Sequence, residues 1–272
     1  MEILQGAAAT LRFPEADGDP VSFSEDPVVT VTRHSTGAAI VTEKATSEEG
    51  DGDDAYFTVD LAGADLAEVD LLVAVWTDGN SSYTTYAEVV GGFATSLKAI
   101  KKKHGKALDD VDIAGAREAA TTQIEGACGV AFRPRYGKEL LDGSGSTTLL
   151  VRQPQLRRIL SAAVDGEAVD VDTLTVDPAG LVISPLRWTE GQANIEVAYV
   201  HGYEIFGPAE LPVRDLASYL LTKSPTDWNE RATSVSNELG SYSLVTPGVR
   251  GASFPLPSVN AFVEDHRYLS VG

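Results

Sequence analysis

The sequence predicts an α+β protein in which β structure leads. Three observations carry that expectation. Residues 1–91 hold short apolar runs, several of them alternating with the two-residue period of a half-buried strand. After Phe93, and again after Pro208, the apolar spacing lengthens to that of helices. Between those helical stretches, residues 132–203 return to strand-like runs separated by Asp, Gly and Pro turns. A length of 272 residues suits about two domains, and an apolar share of 43% is enough for a core in each half.

The N-terminal strands are expected at Val28–Thr32, Ala38–Thr42, Tyr56–Leu61, Leu71–Trp76 and Thr84–Val90. Turn-like segments part them: Asp17-Gly18-Asp19-Pro20, Ser35-Thr36-Gly37, Gly50-Asp51-Gly52-Asp53 and Asp78-Gly79-Asn80. Several short strands in this span point to a small β-sandwich of immunoglobulin-like architecture over 1–91. Its charge is one-sided. Residues 1–80 carry 17 Asp/Glu against three Lys/Arg, a balance of −14 out of −19 for the chain. That break marks a domain boundary and argues against attraction to nucleic-acid phosphates, which needs basic surface. The acidic run Glu48 to Asp54 lacks the EF-hand spacing and reads as a solvated loop.

A second domain is expected over 93–238, with helices at about 94–104, 109–127 and 209–223 and a β insertion at 132–203. In the first helix Leu97, Ile100 and His104 form a face, ringed by Lys98, Lys101, Lys102, Lys103 and Lys106 ahead of the stop Gly105. Asp109 or Asp112 caps the second. There Ile113, Ala116, Ala120, Ile124 and Ala127 recur at helical spacing, an alanine-rich stripe suited to close helix packing. Strands in the insertion are expected at 148–151, 159–164, 174–176, 181–183 and 195–199. Asp165-Gly166 and Asp177-Pro178-Ala179-Gly180 supply hairpin turns. Pro208 to Pro212 open the third helix, where a missing N–H breaks no intrahelical bond, and a further helical piece is expected near Thr226–Ala232.

The last stretch, 239–272, is rich in Gly, Ser and Pro yet carries Tyr242, Leu244, Val245, Phe254, Leu256, Val259, Phe262 and Tyr268. Disordered tails rarely hold so many large apolar side chains. Two readings fit: an extended arm that orders on a partner, or a final hairpin and a short helix over Pro257–Arg267 folded onto their own domain.

No catalytic pattern stands out. His34, His104, His201 and His266 form no His-x-x-x-His or His-Glu-x-x-His pair, and neither a Gly-x-Ser-x-Gly elbow nor a phosphate-binding P-loop occurs. The single Cys128 excludes an intrachain disulfide and reads as a small buried residue. The sequence therefore points away from an enzyme and implies no cofactor. No apolar run approaches the ~20 residues that span a bilayer, and the first residues lack the features of a signal peptide.

One order of features has a likeness. The alanine-rich helix with Gln123-Ile124-Glu125 ends at Gly126–Gly129 and leads into Phe132-Arg133-Pro134-Arg135. Residues 142–169 then give a strand, a proline break and a strand closing in Val164-Asp165-Gly166. Arg187-Trp188 precedes a strand ending Tyr199-x-x-Gly202-Tyr203, followed by Pro208 and a helix. This order, over roughly 93–272, resembles the head–tail connector adaptors of tailed bacteriophages.

The resemblance implies a small helical bundle carrying a β-rich insertion and an extended C-terminal arm. It implies a structural virion protein of the neck, made in the host cytoplasm. Such a protein forms a ring, expected to be a dodecamer, docks on the portal protein and receives the head-closure or tail proteins. DNA passes through its channel during packaging and ejection without specific binding. The aromatic and aliphatic residues of the arm, Tyr242 to Tyr268, are the expected portal contacts. Ile113, Ala116, Ala120 and Ile124 are the expected helix-packing set. The acidic N-terminal sandwich departs from minimal adaptors, and an alternative function is a surface-binding or adhesion module led by that sandwich.

Overall fold

The computed structural model describes residues 1–13, 23, 25–49, 56–104, 108–222, 234–237, 240–243 and 254–268. It is a mixed α+β protein in which sheets dominate. The chain divides into two compact units that do not follow chain order: Met1–Gly92 with Arg133–Glu204, and Phe93–Phe132 with Ile205–Gly272. The sequence groups the insertion with the helices, whereas it clusters with the N-terminal strands.

In the first unit the N-terminal strands are β1 (Glu2–Leu4), β2 (Ala9–Arg12), β3 (Val28–Arg33), β4 (Ala39–Ala45), β5 (Ser47–Glu49), β6 (Tyr56–Leu61), β7 (Asp70–Thr77) and β8 (Ser82–Val90). They form a five-stranded sheet, β1-β8-β7-β3-β4, and a three-stranded sheet, β2-β6-β5. Only β1 runs parallel to its neighbour among these pairs. Alternation sets the inward face: Leu72, Ala74 and Trp76 of β7 are buried while Val73 and Val75 point outward. Both sheets feed one core, with Val29, Val31, Trp76 and Val89 from the first and Leu11, Val59 and Leu61 from the second. The Trp76 indole N–H donates to Thr85 Oγ1 at 2.9 Å, so its polar edge is satisfied. The expected turn at 78–80 forms, with Asp78 Oδ1 accepting from the Asn80 and Ser81 N–H groups at 2.9 and 2.7 Å. The expected turn at 17–20 and most of the acidic loop lie outside the described residues.

The insertion adds β9 (Arg135–Gly143), β10 (Thr148–Leu150), β11 (Leu156–Val164), β12 (Glu167–Ala168), β13 (Thr175–Asp177), β14 (Leu181–Ile183) and β15 (Gly191–His201). Their sheets are β12-β11-β15-β9 and β10-β14-β13, sharing a second core of Leu149, Val182, Trp188, Ile195, Val197 and Tyr199. Asp165 and Gly166 take φ of 51° and 85°, the two positive values that a primed two-residue hairpin needs.

The helical unit holds α1 (Leu97–His104), α2 (Asp110–Cys128) and α3 (Glu210–Thr222). It also holds the hairpin β16 (Ser234–Asn237) with β17 (Gly240–Ser243), and α4 (Pro257–His266). Asp109 caps α2, its carboxylate accepting from the Val111 N–H at 3.0 Å. Gly129 ends it at φ 70°, its N–H donating to the Glu125 carbonyl at 2.8 Å. The buried Glu125 side chain then accepts from the Phe132 N–H at 2.9 Å, which fixes the exit from the helix. The helical piece expected at 226–232 lies outside the described residues.

Candidate functional site

Three features could carry function: the two faces of α2, the C-terminal helix, and the seam inside the β unit. On α2 the expected stripe points inward. Ile113, Ala120 and Ile124 are fully buried, and Ala116 and Ala127 are half-buried. The opposite face is made of small residues. Val111, Gly115, Ala119, Thr122 and Gly126 are exposed at spacings of four, four, three and four, with no charge among them. A Cβ built on Gly115 or Gly126 meets nothing within 4 Å. Each glycine therefore costs the helix about 1 kcal/mol relative to alanine, with no offsetting contact among the described residues.

Of the arm residues, Phe254 and Val259 are buried within the helical unit. Phe262 is half-buried in an aromatic cluster: its ring lies 5.4 Å from Phe132 and 4.3 Å from His266, and Phe132 stacks on Phe206 at 5.2 Å. Leu256 is half-buried and Tyr268 exposed. The Tyr268 N–H donates to the Cys128 carbonyl at 2.7 Å, tying the end of α4 to the end of α2. Residues 254–268 are thus folded onto their own unit, with their large apolar side chains mostly used there. An extended arm over those residues is set aside, because α4 finds apolar surface within the unit. Tyr242 lies in β17, and Leu244 and Val245 fall outside the described residues.

The lysine-rich helix is partly neutralised. Lys101 pairs with Asp110 at 2.7 Å and Lys103 with Asp215 at 3.1 Å, while Lys98 and Lys102 stay exposed. Burial and nearby Glu125 push the Cys128 thiol up to about 11, leaving little thiolate at neutral pH. Among the described residues no group of three His, Cys, Asp or Glu is placed to hold a metal ion, and no helix is long and apolar enough to cross a membrane.

The seam is the feature that sequence reading misses. Phe132-Arg133-Pro134-Arg135 reads as a helix exit, but its two arginines join the insertion to the N-terminal strands. Arg133 makes a two-pronged pair with Glu2, one bond at 2.8 Å and a shorter one between Nη2 and Oε1; the side chains are 1% and 5% exposed. Arg135 grips Glu88 in the same way, with Nε to Oε1 at 3.0 Å and Nη2 to Oε2 closer. Between them the Gly91 N–H donates to the Pro134 carbonyl at 3.0 Å. A Cβ on Gly91 would come within 2.5 Å of the proline ring, so only glycine permits this approach.

Further along the seam, Tyr136 Oη and His34 Nδ1 lie 3.0 Å apart and Ser161 Oγ donates to the Ser35 carbonyl at 2.7 Å. A cleft of about 590 Å³ opens beside it, with a buried floor that includes Val69, Pro134, Leu156 and Val200 and a rim carrying Gln5, Arg157, Arg158 and Glu204. The rim mixes two arginines with two glutamates, Glu68 being the second, and selects no charged ligand.

The carboxylate partners lie 131 and 47 residues from their arginines in sequence. No local spacing encodes such pairs, and the surplus of acids before residue 80 hides Glu2 among its neighbours. No family model matches the chain, and no curated protein is significantly similar to it.

Proposed function

We propose that the protein is a structural component of a bacteriophage virion, a head-to-tail adaptor. In this reading it docks as a ring on the portal protein, extends the DNA channel and receives the head-closure or tail proteins. The observation that carries the reading is the outward face of α2. Its two glycines have open space beside them among the described residues and suit close approach by a helix of a neighbouring subunit. The order of features from the alanine-rich helix to α3 supports the same reading. Ring closure multiplies modest contacts, so each portal contact can be weak while the assembly holds. The first 92 residues are read as an immunoglobulin-like sandwich, supported by two sheets that share one core. Exposed Tyr268, with half-buried Leu256 and Phe262, is among the arm residues read as meeting the portal. Native mass measurement on a mixture with the portal protein tests this. A complex holding about twelve copies is expected, and absence of any complex of high stoichiometry would refute the adaptor.

A second reading, a surface-binding module, draws on one observation. The outward face of the five-stranded sheet presents Thr30, Thr32, Val73, Val75, Thr84 and a 59% exposed Tyr86, uncharged within an otherwise acidic region. Binding of the full chain to a glycan array that disappears in Tyr86→Ala would favour it; a blank array removes it.

A further inference from the structure

His201 closes β15 inside the seam. It is 7% exposed and sits in register with Arg135 on β9 and with Leu156 on β11. Among the described residues its Nδ1 has no hydrogen-bond partner. The charged groups that face it are Arg135 and Glu88, already bound to each other. On its own strand the titratable neighbour is Tyr199, whose ring centroid is 5.8 Å away, and the facing residue on β11 is apolar. A backbone hydrogen bond with Tyr136 completes its surroundings.

The two cores of the β unit share no residue. Besides ion pairs and hydrogen bonds, the Pro134 ring against Gly91 and the Tyr136 ring beside His34 join them. We propose that His201 is an acid-operated release for this seam. Its protonation sets a second cation against Arg135 and breaks the Arg135–Glu88 pair. The seam then opens around Gly91 and Tyr136, while the Arg133–Glu2 pair and both cores stay in place. Glu88 can neutralise one of the two cations and not both.

The sign follows from burial. Desolvation first, and then the Arg135 charge, hold the imidazole down to about 4 from its usual 6.5. The closed seam therefore binds fewer protons than the open one. Its advantage falls as pH drops from about 6.5, and the loss is complete below about 4.

Hydrogen exchange of the full chain, corrected for intrinsic rates, tests the release at roughly pH 5.5 and pH 3.8. In the wild type, the amides of Gly91 and Tyr136, which donate across the seam to the Pro134 carbonyl and to Glu88, lose about tenfold protection at the lower pH, while the centres of β7 and β15 stay protected. His201→Gln, which cannot titrate, keeps the seam protected there. Loss of all strands in one step, or identical behaviour of the variant, would overturn the proposal. Should the variant not fold, the wild-type imidazole is titrated by NMR. A midpoint that tracks seam exchange supports the release, and one above pH 6 refutes it.

Discussion

Phe132 and Arg133 are neighbours in sequence and are held by opposite kinds of force. Phe132 belongs to the helical unit, 2% exposed and stacked among Phe206 and Phe262. Arg133 belongs to the β unit, as deeply buried, and paired with a glutamate at position 2. The first residue is stabilised by area and ring contact, which are indifferent to charge state. The second is stabilised only while its partner is present and ionised. The chain crosses from one regime to the other in a single peptide bond.

The contrast can be broken from either side. Phe132→Ala should cost about 3–5 kcal/mol in the helical unit, the range for a large buried aromatic, with little dependence on pH. Arg133→Ala should cost about 3–5 kcal/mol in the β unit, because Glu2 is left buried and unpaired. Replacing both Arg133 and Glu2 with apolar residues should recover most of that loss. Denaturant melts followed by tryptophan fluorescence in a Trp228→Phe background separate the two, since the remaining tryptophans, Trp76 and Trp188, both lie in the β unit. Equal shifts in that signal for Phe132→Ala and Arg133→Ala would erase the distinction.

Smaller changes sharpen the comparison. Asp109→Ala removes the cap of α2 and should cost about 1 kcal/mol, read as lost helical ellipticity without change in the tryptophan signal. Gly115→Ala should do the reverse, stabilising the isolated chain by up to about 1 kcal/mol in thermal melts. If α2 meets a neighbouring subunit closely, the same substitution should weaken assembly with the portal. A variant that is more stable and assembles unchanged would take away the observation on which the adaptor reading leans.

What the sequence made legible follows the same division. Strands that alternate, such as β7, and the Asp165-Gly166 hairpin are local signals and appear where expected. So do the helices over described residues, within a few positions, because cap and stop are written beside them. Strands β1, β2, β5, β9, β12 and β16 escape. β1 and β2 are short and flank a Gly-Ala run, and β9 (RYGKELLDG) mixes charges and leucines without a clean period. Their places are set by distant partners: β1 lies along β8 and β9 along β15. The seam was illegible for the same reason. An arginine after a helix gives no sign that its carboxylate lies at residue 2. The helix-packing residues were readable because burial on α2 repeats locally; the bare outer glycines were not, since their meaning depends on finding open space beside them.

The hydrogen bond from Gly91 to Pro134 has a topological consequence. It places the points where the chain leaves and re-enters the β unit side by side. Residues 93–132 are then a cassette, spliced into a β protein whose cut ends already touch. A polypeptide that joins residue 92 to residue 133 through a short turn would keep both arginine clamps and both cores. The β unit becomes a portable scaffold, and the join becomes a natural port for grafting a different helical pair.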